Sequence, residues 1–202
     1  MNALRLLLAA CLLAAPLGVG LAQTPGPVPP APPVQTDRPT LLPERGDPMD
    51  VDEVELAPKP AAVLTGSSTW DDGLANLRQA FATIEQELDK AGLKPRGRPL
   101  ATFVETDDMG FRYEAMVPID AIPEGRVALS REVRFGRTPE GRAFRFVHRG
   151  PYEEIDQTYE TITAYLDAKG ILVRDAFTEE YATDPTTAQD PDLEVNIFVL
   201  PR

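Results

Sequence analysis

Apolar positions recur at helical spacing in two places along the chain. Leu74, Leu77, Phe81, Ile84 and Leu88 stand 3, 4, 3 and 4 residues apart, and adding 78 to each number gives Tyr152, Ile155, Tyr159, Ile162 and Leu166. Each set is the apolar stripe of an amphipathic helix. The first helix is predicted over Leu74–Leu93, with Thr69 as its cap and Asp71 and Asp72 in its positive first turn. The second opens at Gly150-Pro151, where Pro suits the first helical position and Glu153 and Glu154 complement the dipole. Both finish alike, Leu88-Asp-Lys-Ala-Gly92-Leu93 against Leu166-Asp-Ala-Lys-Gly170-Ile171, with Gly where a left-handed C-terminal cap is expected.

The flanking segments read as strands, and they too come in pairs. Ala101–Glu105 and Phe177–Ala182 follow the helices, and Tyr113–Ile119 then parallels Leu193–Val199. Ala61–Thr65 and Ala143–His148 precede the helices, and the turn-rich stretch Gly136–Gly141 predicts that Ala143–His148 pairs back with Val127–Phe135 as a hairpin. The expected fold class is α+β: duplicated β-α-β-β units forming one antiparallel sheet, two helices packed on one face, and a cleft between the halves. Repeat one is expected over 61–119 and repeat two over 125–201.

The first 60 residues follow neither pattern. Arg5 followed by the uncharged apolar stretch Leu6–Leu21, with Gly20-Leu21-Ala22 ahead of Gln23, predicts a signal peptide over 1–22. That stretch is too short, and too rich in Pro and Gly, for a transmembrane anchor. Leu8-Ala9-Ala10-Cys11 resembles a lipobox, a lipoprotein alternative that the continuing apolar segment argues against. A secreted or periplasmic location is therefore expected. Residues 23–60 hold 11 of the 21 prolines, then the acids Asp47, Asp50, Asp52, Glu53 and Glu55, so a disordered linker is expected before a folded domain over 61–202.

Composition narrows the chemistry. A formal charge of −12 in 202 residues argues against a nucleic-acid partner, and loss of Arg5 on export would make it −13. One Cys and one His cannot supply the usual metal-ligand set, and the chain holds neither a phosphate loop nor a Gly-x-Ser-x-Gly elbow, so no metal and no cofactor is expected. His148 reads as structural. Residues 126–149 hold seven Arg, which read as a solvated hairpin pairing with the acid-rich remainder.

His148-Arg-Gly-Pro-Tyr152 opening a helix, Glu179-Glu-Tyr181 in a strand and the closing Asp192–Pro201 segment resemble the GyrI-like small-molecule-binding domain, the fold that also serves as effector-binding domain of AraC- and MerR-type regulators. The resemblance covers about residues 60–202 and implies a cleft between two β-α-β-β units that takes apolar, often cationic, aromatic compounds. It also implies a buried carboxylate in a Glu-x-Tyr context as polar anchor, which maps onto Glu179 and Tyr181. Some members hydrolyse strained electrophiles. This chain carries no DNA-binding domain, and export is at odds with a gyrase partner.

Strand alternation puts Phe177, Glu179 and Tyr181 on one face and Thr178, Glu180 and Ala182 on the other. A carboxylate between aromatic rings suits a cationic aromatic guest. The candidate ligand-binding residues are Glu179, Tyr181, Glu194, Tyr152, Trp70, Tyr113 and Glu114. Glu194 enters because its strand should neighbour that of Glu179, and Glu114 as its counterpart in repeat one. Tyr152, Tyr159 and Tyr165 sit on the second helix, and core packing is the default for Tyr152 and Tyr159 of its apolar stripe. No catalytic residue is assigned. The expected function is an exported protein that captures small apolar or cationic compounds, without stable membrane insertion once the signal is cleaved. A hydrolase using the same cleft and a structural or partner-binding envelope protein are the alternatives, and any protein partner stays unidentified.

Overall fold

The computed structural model describes residues 38–125 and 129–202. The expected signal peptide, Cys11, the first part of the linker, and Val127 of the expected hairpin lie outside the described residues.

Eight strands and two helices follow the chain as β1 (Asp52–Leu56), β2 (Pro60–Thr69), α1 (Gly73–Lys90), β3 (Leu100–Asp107), β4 (Gly110–Pro118), β5 (Val133–Arg137), β6 (Gly141–Arg149), a 3-10 turn at Tyr152–Glu154, α2 (Ile155–Lys169), β7 (Val173–Tyr181) and β8 (Glu194–Pro201). The order strand–strand–helix–strand–strand thus runs twice. All eight strands join one antiparallel sheet in the order β1-β6-β8-β7-β3-β4-β2-β5. The two halves meet where β3 pairs with β7, from Leu100 opposite Glu180 to Phe103 opposite Phe177.

The outermost strands are exchanged. β1 leads into the first half but pairs with β6 of the second, and β5 leads into the second but pairs with β2 of the first. The hairpin expected between Ala143–His148 and the strand before it therefore does not form. Both edges of β6 are already taken, by β1 and β8.

Burial explains why the helices lie where they do. Leu77, Phe81, Ile84 and Leu88 of α1 and Ile162 and Leu166 of α2 pack with Phe103, Tyr113, Val117, Val195, Ile197 and Val199 of the sheet in one apolar cluster. Both helices end as the sequence predicts: Gly92 and Gly170 have φ 69° and 65°, and the residue after each donates to a carbonyl five positions back. At the first helix's start Thr69 holds the preceding turn rather than the helix, its Oγ1 accepting the Asp72 N–H. Among the described residues no helix is long and apolar enough to cross a membrane.

The other face of the sheet is covered without a helix. Leu41 and Leu42 pack on Leu56, Ala143, Phe198 and Leu200, and polar ties hold the same segment down. The Arg145 guanidinium, 5% exposed, bonds Asp52 and the Glu44 carbonyl; Arg149 reaches the Gly46 carbonyl; Lys59 reaches that of Thr40; and Arg98 reaches that of Arg38. A Cβ on Gly46 would run into Val147 and Arg145, so the fit is close. The linker expected over 23–60 is, from Arg38 onward, a strap across the back of the sheet that ends in a strand. Two of its acids, Asp52 and Glu53, pair with Arg145 and Arg142 of β6.

Candidate functional site

β7 is buried on both faces where it crosses the seam, and the period of two sends its side chains to two different environments. Phe177, Glu179 and Tyr181 face the helices; Thr178 and Glu180 face the strap.

On the helix side Glu179, 1% exposed, lies in a ring of tyrosines. Tyr159 donates to its Oε1 at 2.8 Å, and Tyr152 and Tyr181 donate to its Oε2 at 3.0 and 2.7 Å. Tyr181 comes from the same strand two residues on, Tyr152 from the 3-10 turn and Tyr159 from α2. The rings form a wall: Tyr152 stacks on Tyr181 with centroids 6.3 Å apart, and Phe81 of α1 and Phe177 meet Tyr181 and Tyr159 edge-on. Burial pushes the Glu179 carboxyl above its usual range, while the three phenol hydrogens pull it back. Burial, and then the charge of Glu179, push the tyrosines well above 10, so they stay protonated donors. Among the described residues no cation partners Glu179. As an anion it is held by neutral dipoles alone, which leaves an unbalanced negative potential in a low-dielectric pocket.

The wall has one weak side. α1 buries seven residues, whereas α2 buries only Ile162 and Leu166. Tyr152, Ile155, Tyr159 and Tyr165 are half-buried, so of the three hydroxyls on Glu179 that of Tyr159 rides on the looser helix and that of Tyr152 on the turn leading into it. The hollow expected at the seam is filled in this arrangement by these rings, and the principal surface cavities lie away from Glu179.

The remaining predicted residues do not gather there. Glu194 is buried on the strap face, where Arg45 and Arg149 bond its carboxylate. Burial would raise its pKa, but those two guanidinium groups outweigh it and hold it below the usual range. Glu114 is on the same face of the sheet and pairs with Arg134. The physical reason is register: Tyr181 stands opposite Val195 and Glu180 opposite Asn196, so the even-numbered residues of β8 share the face of Glu180 and not of Glu179. Tyr113 is on the helix side and packs in the shared apolar cluster, but its hydroxyl turns to the Asn76 carbonyl and not to Glu179. Trp70 is 52% exposed, lies over Phe111 with centroids 5.1 Å apart and donates to the Asp107 carbonyl. Its ring contact is with Phe111 and not with the tyrosines around Glu179.

Two residues gain roles that sequence reasoning did not give them. Tyr159 was expected in the helix core, yet its hydroxyl is an anchor of Glu179; a hydroxyl on an apolar stripe opposite a buried acid was the available signal. Glu180, also 1% exposed, accepts the Leu41 N–H at 2.5 Å and the Asn196 amide at 2.9 Å. Burial raises its pKa to about 7 against these bonds and the charges of Lys59 and Arg145. Its partner strap was invisible while residues 38–50 read as linker. His148 is structural: Nδ1 meets the Thr158 hydroxyl at 2.8 Å and Nε2 the Pro151 carbonyl at 3.1 Å, tying β6 to the start of α2. Because a carbonyl only accepts, Nε2 carries the hydrogen. Among the described residues no group of three or more His, Cys, Asp and Glu could hold a metal ion.

The GyrI-like small molecule binding domain matches residues 49–200. Among solved structures, the C-terminal domain of EcmrR superposes with a TM-score of 0.63 at 15% identity, over 76% of this chain and 97% of that one. In the EcmrR–DNA complex the same match spans only 57% of the full EcmrR chain. A hydrolase from Listeria innocua matches with a TM-score of 0.52 at 14% identity, over 82% of this chain and 94% of that one. SAV2435 bound to tetraphenylphosphonium matches with a TM-score of 0.52 at 14% identity, over 76% and 94%. Among curated proteins none matches the sequence.

Proposed function

The chain belongs to the GyrI-like small-molecule-binding family, and from that premise we propose that it is an exported protein that captures an apolar, cationic aromatic compound at the seam between its halves. The observation that carries this reading is the buried carboxylate of Glu179, without a cation partner among the described residues, inside a ring of aromatic side chains. A delocalised organic cation would supply the missing charge, and the tyrosine and phenylalanine faces would supply cation–π and apolar contact. Entry requires α2 and the 3-10 turn to swing outward, taking Tyr152 and Tyr159 with them. The slight burial of α2 supports that motion. The leader-like segment over 1–22 and the proline-rich segment after it support export and a tether, and the repeated element order supports an origin by internal duplication.

Capture is favoured over turnover by the hydrogen bonding of Glu179. Three phenols occupy its oxygens, which blunts it as nucleophile or base. The filled seam also gives weight to a partner-binding envelope protein whose hollow is vestigial, and one experiment separates the two. Equilibrium dialysis of the full chain against tetraphenylphosphonium, the compound carried by SAV2435, should show binding. Glu179→Gln should weaken it at least about tenfold, or ~1.4 kcal/mol, while Glu180→Gln leaves it unchanged. Absence of binding by the parent, or equal binding by Glu179→Gln, would overturn the capture reading and leave the partner-binding one.

A further inference from the structure

The strap face carries a cavity of its own at the seam. Thr102 and Thr178 stand opposite each other across the β3–β7 junction, their hydroxyls 2.9 Å apart. Arg174 and Ala176, four and two residues before Thr178 on β7, line the same cavity. Over them reaches the turn from β5 to β6. That turn is fixed: the Thr138 N–H donates to the Lys59 carbonyl, and the Thr138 Oγ1 accepts the Lys59 N–H. The space enclosed is about 340 Å³, with Pro139 and Leu200 completing its apolar surface. That is within the usual size of a small-molecule site.

Its described lining holds two cations and one acid, in a chain of net charge −12. Of the Arg-rich segment, Arg134, Arg142, Arg145 and Arg149 each pair with an acid. Arg137, at the end of β5, and Arg174, on β7, are exposed and make no ion pair or side-chain hydrogen bond among the described residues, yet both line this cavity. Glu140 is the one acid among the described lining residues, at the exposed turn.

We propose that this cavity is a second binding site, for a small amphiphilic anion. Arg137 and Arg174 hold its carboxylate- or phosphate-type head, and its short apolar tail lies along Ala176, Pro139 and Leu200. Guanidinium groups suit such heads because their paired N–H donors match two oxygens. Thr178 and Glu179 are neighbours on β7, so sites for ligands of opposite charge lie back to back across one strand. This site does not depend on the role of Glu179.

Isothermal titration of the full chain with octanoate, octyl phosphate, acetate and inorganic phosphate tests it. Both octyl compounds should bind, and the tail-free anions should bind at least tenfold more weakly. Preference between the two octyl heads identifies the head chemistry. Arg137→Gln with Arg174→Gln should weaken octanoate at least tenfold, Glu140→Gln should strengthen it a few-fold, and Glu179→Gln should leave it unchanged. Circular-dichroism melts matching the parent confirm that the exposed arginine changes leave the fold intact. No octanoate binding at millimolar concentration, binding indifferent to both arginines, or binding lost with Glu179→Gln would overturn the proposal.

Discussion

Two adjacent glutamates on one strand meet opposite surroundings, and their titration should differ accordingly. Glu180 has a pKa of about 7 in the folded protein against an ordinary value of 4.5. The folded state therefore binds a proton more tightly than the unfolded state, so the contribution of Glu180 to stability is complete below pH 4.5 and is lost as pH rises through 7. Above pH 7 the chain holds a buried charge that Gln would not carry. Glu180→Gln keeps an acceptor for the Leu41 N–H and offers an amide to Asn196, whose buried Oδ1 has no partner among the described residues. Urea titrations should find it more stable than the parent by roughly 3 kcal/mol at pH 8 and nearly equal at pH 4. A parent whose advantage grows with pH would refute the assignment. Sequence alternation correctly separated the faces of Glu179 and Glu180, because parity within one strand needs only the strand. It could not rank Glu194, because parity between strands needs the register.

The helices show the same divide between what local sequence carries and what packing adds. Their stripes and glycine caps lie within one turn of where spacing put them, since both are set by residues three and four apart. The difference in burial between α1 and α2 is not in that spacing; the five stripe positions match one for one. It arises because three positions of the second stripe are Tyr152, Ile155 and Tyr159, two of which hold a polar hydroxyl against Glu179 rather than entering the core. Hydrogen exchange should reflect this. The amides of Ala80–Leu88 should exchange at least tenfold more slowly than those of Thr158–Leu166, and tetraphenylphosphonium should slow the second group selectively. Equal protection of both helices in the free protein would remove the basis for α2 as the moving wall. β1 was missed for a related reason. Asp52-Glu-Val-Glu-Leu56 alternates as an edge strand should, but its acids lie beside a proline-rich segment and read as part of it.

At the scale of the molecule, residues 38–60 belong to the fold and not to a spacer. Removing them takes away the Leu41 N–H from Glu180, Asp52 from Arg145 and Arg45 from Glu194, three buried charged groups at once. It also strips Leu41, Leu42 and Leu56 from the back of the sheet. A version starting at Ala61, the boundary that composition suggested, should be largely unfolded or aggregated at 25 °C, because Arg145 loses both its partners, Glu180 and Glu194 each lose one, and an orphaned buried charge costs several kcal/mol against a total stability of roughly 5–15. A cooperative melt within a few degrees of the full chain would show that the strap is ornamental. Charge, helices and seven of the eight strands were legible before the structure, since each rests on short-range patterning. The strap and the exchanged edges were not, since each is decided by a partner some 70 to 100 residues away.

That lacing has a consequence for synthesis. As the polypeptide leaves the ribosome, β1 has nothing to lie along until Arg149 is made, and β2 keeps an open flank until Arg137 appears. A message broken between these points releases a product with bare hydrogen-bonding borders, the kind that stick to one another. Only the finished protein closes its own seams, so incomplete copies should be the ones that the cell finds in its insoluble debris.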